Sequence, residues 1–222
     1  MIYIRLYFYL DMSDVINDYS ELEETLGYKF KDLSILETAM THTTYVFEKG
    51  KDHCESNQRL EFIGDAVVDL VVGRILYDMK PKAAEGYLTK IRATVVCEQS
   101  FAEVARQLNL GKYLKLGRGE SLSGGADKAS SLADCFESVI AAVYFDGGFD
   151  AAFNVVSLNL ADTIRKAVNG EIFLDYKSRL LELAQIKGNQ HIISFKIIDE
   201  RGPAHNLEFD CAVYADDVFL AK

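Results

Sequence analysis

Proline is nearly missing from this chain. Only Pro81 and Pro203 occur in 222 residues, and no low-complexity tract accompanies them. That excludes an extended or disordered polypeptide and favours a helix-rich globular one. Cysteine is also sparse: Cys54, Cys97, Cys135 and Cys211 are far apart and form no CxxC pair. This spacing argues against a zinc ribbon or a disulfide framework, and each cysteine sits in an apolar or helical context. We read them as reduced thiols of a cytoplasmic protein. No apolar run reaches membrane-spanning length. The apolar start "MIYIRLYFYLDM" is interrupted by Arg5 and followed by no small-residue cleavage site, so it does not read as a signal peptide. Positive charge is short as well. A net charge of −10 lacks the basic footprint of a simple nucleic-acid binder. It is compatible with an enzyme whose acidic site holds metal ions and whose basic surface is local.

What the chain does have is apolar content, 49% of its residues, enough for a sizeable core. Met12 opens an ordinary-looking start, so residues 1–12 read as an N-terminal extension, the alternative being a short element packed on the body. Residues 13–170 read as helix after helix and form the main domain. "YSELEETLGYKFKDLSILETAMTH" places Leu22, Leu26, Phe30, Leu33 and Leu36 at helical spacing. "AEGYLTKIRATVVCEQSFAEVARQLNLG" reads as a long helical region ended by Gly111, and "KLGRGESLSGGADKAS" as a glycine and serine loop. "DKASSLADCFESVIAAVYFDGG" reads as a helix closed by Gly147 and Gly148. The pattern changes near residues 170–174. "DYKSRLLELAQIK" is amphipathic, and "HIISFKIIDE" and "LEFDCAVYAD" read as strands joined by the turn "RGPAHN".

The stretch "NQRLEFIGDAVVDLVVGRIL" carries acids at Glu61, Asp65 and Asp69, every four residues along an apolar helix. A buried carboxylate without a partner costs several kcal/mol, so such acids are paired, bind metal or face water. A second pair, Asp134 and Glu137, lies three apart on another apolar helix. Two such pairs can converge into four carboxylates that repel one another unless a cation intervenes. A hard divalent ion, Mg²⁺ or Mn²⁺, suits oxygen ligands, and its usual chemistry there is phosphodiester hydrolysis. The alternative is an acidic edge that faces solvent.

"NQRLEFIGDAVVDLVV" closely resembles the signature of the ribonuclease III family of double-stranded-RNA endonucleases. "THTTYVFE", "EGYLTKIRATVV", "LGRGESLSGGADK" and "SLADCFESVIAAVYFDGG" follow in that family's order and spacing, so the resemblance spans roughly residues 20–215. It implies a mainly α fold: an all-helical endonuclease domain followed by an α-β-β module, the incomplete form of an α-β-β(-β-α) double-stranded-RNA-binding domain over residues 175–222. It implies metal ligands at Glu61, Asp65, Asp134 and Glu137, with Asp65 and Glu137 catalytic. It further implies a supporting or second-metal acid at Glu85, Mg²⁺ as cofactor with Mn²⁺ as a substitute, and a homodimer cutting each strand of duplex RNA in ribosomal and messenger RNA processing. No membrane and no small-molecule substrate are implied. Asp69 falls outside the family's acids and takes a structural or surface role.

Two departures stand out. Gln58 occupies a position where the family often has Glu; it is left out of the metal shell and read as an RNA or dimer contact. Ala126 replaces a common arginine, leaving Lys128 to approach a phosphate, unless it is a solvated loop lysine. In the C-terminal module the resemblance implies minor-groove contacts from Glu182 and His205, with Leu181 where a glutamine is common. That module carries six Lys/Arg against eight Asp/Glu, so its electrostatic pull on RNA is expected to be weak. Its third strand looks barely begun at "ADDVFLAK" and the last helix of such a module is absent, so it is expected to be marginally stable on its own. The rival readings are a non-catalytic RNA-binding or structural relative, which is expected to have lost acids, and a small ribosomal-RNA maturase without the C-terminal module.

Overall fold

The computed structural model describes residues 18–172, 176–185, 191–202 and 207–222. The N-terminal extension therefore lies outside the described residues. The chain divides into two compact units between Asn169 and Gly170.

The first unit is helical: α1 Ser20–Leu26, α2 Leu33–Ala39, α3 Thr43–Glu48, α4 Gln58–Met79, α5 Glu85–Val95, α6 Glu98–Gln107, α7 Arg118–Leu122, α8 Ala129–Asn159 and α9 Ala161–Asn169. The axis of the unit is the packing of α4 along α8, flanked by α6 and α2 on α8. Val68, Val71, Val72 and Leu76 of α4 are fully buried with Phe136, Val139, Ile140 and Val143 of α8. Phe101 of α6 meets Phe136 with ring centroids 5.4 Å apart. These side chains repeat at helical spacing, which is why the two sequences fold as helices that share one core.

One contact sets the register of this pair. A Cβ placed on Gly64 would lie 1.9 Å from the carbonyl oxygen of Glu137. The α4 backbone thus touches the α8 backbone at the level of the acids, and only a residue without a side chain fits there.

Several boundaries differ from the sequence reading. The stretch from Leu22 to Leu36 is two helices, because Gly27 turns the chain at φ 77° after α1. The long region after Ala84 is also two helices, α5 and α6, separated where Cys97 becomes extended. The glycine and serine loop contains the short helix α7, and the backbone amides of Gly117 and Arg118 are held by Thr44 Oγ1 at 3.1 Å and Glu48 Oε2 at 2.6 Å. α8 does not close at Gly147–Gly148. Gly148 kinks it at φ 81°, and helix continues to Asn159. The kink is anchored by Asp146, which accepts from the Tyr28 hydroxyl at 2.6 Å and from the amides of Lys31 and Asp32 at 3.0 Å each.

By length and composition alone, the 31 residues of α8 are apolar enough to cross a membrane, contrary to the sequence expectation. Many of its apolar side chains, among them Leu132, Phe136, Val139, Ile140, Val143, Val155 and Val156, are instead buried in the core, while Phe145, Phe149 and Leu158 stay exposed. All four cysteines are free, but Cys54 and Cys211 are exposed rather than set in apolar surroundings.

The second unit holds α10 Tyr176–Ala184 and an antiparallel sheet of β1 Ile193–Arg201, β2 Glu208–Ala215 and β3 Val218–Ala221, in that order. The third strand is formed, across a tight turn in which Asp216 and Asp217 both take positive φ. The Asp216 carboxylate bridges His191 Nδ1 at 2.5 Å and the Ile192 amide at 2.8 Å. β1 and β2 pair from Ile193–Ala215 to Arg201–Glu208, with a bulge between Ile197 and Asp199.

Replacing Gly64 with alanine should lower stability by about 2–3 kcal/mol, because the helices must part to admit the methyl group. Gly86→Ala, in open space on α5, should be neutral or stabilising. Equal thermal stability of the two variants would contradict the contact.

Candidate functional site

α4 and α8 bring the acids together. The carboxylate oxygens of Glu61, Asp134 and Glu137 lie within 4.8 Å of one another, and all three side chains are partly buried. Glu61 comes from the first turn of α4, and Asp134 and Glu137 share one face of α8. Nearby bonds hold the frame. Thr41 accepts the Asn57 amide at 2.8 Å, and Asn57 accepts the Ser138 hydroxyl at 3.1 Å. The start of α4 is thereby tied to α8 one turn beyond Asp134.

The electrostatics follow from burial and crowding. Burial, then the charges of Asp65, Glu61 and Asp134, push the Glu137 carboxyl up to about 8. Glu61 is raised by burial and by Asp134 and Asp65. Asp134 is raised by burial, with His42 and Lys128 drawing it back and Glu98 adding to the rise. A group of this kind holds protons where it lacks a cation. Partly buried carboxylates at such spacing suit a hard divalent ion.

The other expected residues are placed as follows. Asp65 is exposed one turn along α4 and stands outside the close triplet, although its charge acts on Glu61 and Glu137. Glu85 is exposed at the start of α5, and its Oε1 accepts from Thr89 at 2.8 Å. It lines a separate cavity of about 540 Å³ with Asp69, Leu70, Tyr77 and Arg92. Asp69 faces Arg92 at 3.9 Å there, in keeping with a structural role. Gln58 is exposed on the first turn of α4. Lys128 is the residue before α8 and pairs with Glu120 at 3.6 Å. The Glu182 side chain and His205 lie outside the described residues.

The sequence reading passed over His42 and Glu98, both of which act on Asp134. His42 is the second residue of the quoted motif "THTTYVFE", so the signal was present but had no chemistry attached. Ligating atoms also converge at Asp52, His53 and Cys54, but all three are exposed on one turn, and Asp52 is already occupied capping the Cys54 amide at 2.8 Å.

The Glu137 shift fixes a pH dependence. A carboxyl whose proton affinity rises on folding stabilises the fold at low pH, and that contribution is lost as pH climbs from 4.5 through about 8. The metal-free Glu137→Gln variant should therefore gain on the parent in Tm as pH rises over that window, each kcal/mol of relief being worth about 2–4 °C. Parallel Tm curves for parent and variant would contradict it.

Comparison with known proteins bears on the family and the fold. The family described as Ribonuclease-III-like matches residues 32–164. "Ribonuclease 3" of Pelotomaculum thermopropionicum is 43% identical over 211 residues, 95% of this chain and 87% of that protein. "Ribonuclease 3" of Listeria welshimeri is 40% identical over 93% of this chain and 90% of its own length. The crystal structure of the nuclease domain of ribonuclease III from Campylobacter jejuni aligns with a TM-score of 0.61 at 38% identity, covering 67% of this chain and 97% of that one. A second structure of that domain, described for flexibility in a region involved in dimer formation, aligns with a TM-score of 0.60 at 40% identity, covering 66% of this chain and 97% of that one. On these matches the chain belongs to the ribonuclease III family.

Proposed function

We propose that this protein is an endoribonuclease that hydrolyses phosphodiester bonds of double-stranded RNA. The observation that carries this is the close triplet Glu61, Asp134 and Glu137. These three carboxylates, with Asp65 on the open side, would hold Mg²⁺, or Mn²⁺ in its place. A divalent ion there supplies the Lewis acidity that phosphodiester hydrolysis needs. The protein's own part is positioning. α4 and α8 hold the acids in one frame before substrate arrives, and the partly buried setting strengthens every charge interaction within it. The expected products are staggered duplex ends with 5′-phosphate and 3′-hydroxyl groups, and the expected roles are ribosomal and messenger RNA processing. The free thiols fit a cytoplasmic setting.

Two cuts across a duplex require two sites. α4 supports a homodimer, because its outer face is apolar and uncovered: Phe62, Leu70 and Tyr77 keep 77%, 59% and 68% of their surface in water. Phe62, Ala66, Leu70, Gly73 and Tyr77 recur at helical spacing, so the exposed residues form a stripe. A second copy docked on this stripe by a two-fold axis covers it and sets two acid sites on one duplex.

Purified protein incubated with labelled duplex RNA and Mg²⁺ at low salt should cut it, and Glu137→Gln should lose about a hundredfold or more while remaining folded. Cleavage that survives this change would contradict the assignment. Leu70→Glu should convert a dimer to a monomer in sedimentation, since it forfeits about 1.5–3 kcal/mol of burial per subunit and places like charges face to face. An unchanged dimer would show that α4 is not the interface.

A further inference from the structure

Apart from the acid triplet, the short turn His53–Glu55 ahead of α4 gathers three different kinds of donor. Asp52, His53 and Cys54 each place one ligating atom within 4.8 Å of the other two, and all three side chains are exposed. The turn beneath them is well held. Asp52 Oδ1 accepts the Cys54 amide at 2.8 Å, and Glu55 Oε1 accepts the Asp52 amide at 3.2 Å. The His53 carbonyl accepts the Ser56 hydroxyl at 2.7 Å. The sulfur, nitrogen and oxygen donors therefore stand on a fixed backbone.

Their spacing is that of ligands on one ion. Cys54 Sγ and His53 Nε2 are 3.5 Å apart. A tetrahedral zinc ion, with a thiolate at about 2.3 Å and an imidazole at about 2.05 Å, sets those two atoms roughly 3.6 Å apart. The ring is also turned the right way. Its other nitrogen, Nδ1, lies 3.2 Å from Asp52 Oδ1. Bonds from Cys54 hold the Asp52 carboxyl below its usual range, so it is negative at neutral pH. A negative group beside Nδ1 draws the ring proton to that nitrogen and leaves the Nε2 lone pair towards the thiol. A carboxylate behind the ring is the common support of a metal-bound histidine. Cys54 also lines a polar cavity of about 470 Å³ with Lys51, Glu55 and Lys115, which leaves room for water beside the sulfur.

We infer that His53 and Cys54 form a second metal site, for Zn²⁺, with Nε2 and the thiolate as ligands. Asp52 is its positioning carboxylate, and water fills the remaining positions. Binding releases the thiol proton, so affinity rises with pH. Sulfur and imidazole select Zn²⁺ and its spectroscopic stand-in Co²⁺, whereas the all-oxygen group Glu61, Asp134 and Glu137 suits Mg²⁺ or Mn²⁺. The chain thus offers two sites of different metal preference, and this one does not depend on the nuclease reading.

The test is Co²⁺ titration of the metal-free full chain in a thiol-free reductant, followed by thiolate-to-cobalt charge-transfer absorption, which oxygen ligands do not give. The parent should develop this band to one equivalent, and Zn²⁺ should abolish it by displacement. Cys211→Ser, which removes the other exposed thiol, should keep the band. Cys54→Ser should lose it, and His53→Gln and Asp52→Asn should each weaken Co²⁺ about tenfold or more. Asp52→Asn keeps an oxygen for the Cys54 amide, and circular dichroism of all three variants should match the parent. Absence of the band at saturating Co²⁺, or a band that survives Cys54→Ser, would overturn the inference. So would unchanged affinity in His53→Gln, which would show a thiol binding without the ring.

Discussion

The contact between Gly64 and the Glu137 carbonyl decides where everything else sits. Two helices of this width usually stand 8–10 Å apart, held off by side chains. Here α4 and α8 meet backbone to backbone at one point, and the acids lie at the edge of that point. Asp65 follows Gly64 directly, Glu61 is one turn before it, and Glu137 carries the oxygen it touches. Any wider spacing would separate the carboxylates and return them to ordinary solvated acids. The apolar core beneath, from Val68 to Leu76 and from Phe136 to Val143, supplies the burial that holds this crowding in place.

That crowding is a cost in the metal-free protein. Burial and neighbouring acids raise the proton affinity of Glu61, Asp134 and Glu137, and Glu137 bears most of it. Such local opposition between stability and arrangement is characteristic of sites set for function rather than for folding. The same logic explains the face of α4 away from the core. Phe62, Leu70 and Tyr77 leave most of their apolar surface in water. One apolar side of the helix fills the core, and the other is the face proposed to dock a second copy.

Much of this was legible in the residues. The four-residue repeat of Glu61 and Asp65 and the three-residue spacing of Asp134 and Glu137 announced two acid edges, since helical periodicity maps directly onto a face. The helix and paired strands after Gly170 were readable from the change of period. Three things were not. Periodicity places Asp65 and Glu61 on one face but not at one depth, and the structure leaves Asp65 exposed outside the triplet. Glu85 shares the family pattern yet lines a separate cavity with Asp69 and Arg92, because α5 starts beside the far half of α4. The breaks at Gly27 and Cys97 interrupt runs whose apolar spacing continues across them, so pattern alone joined what the backbone separates.

The most direct test of the acid site is a crystal of the full chain soaked in Mn²⁺, with anomalous scattering recorded at the manganese edge. The predicted result is a peak coordinated by oxygens of Glu61, Asp134 and Glu137. Ordered carboxylates with no peak between them at saturating Mn²⁺, or a peak bound only at Asp52, His53 and Cys54, would contradict it.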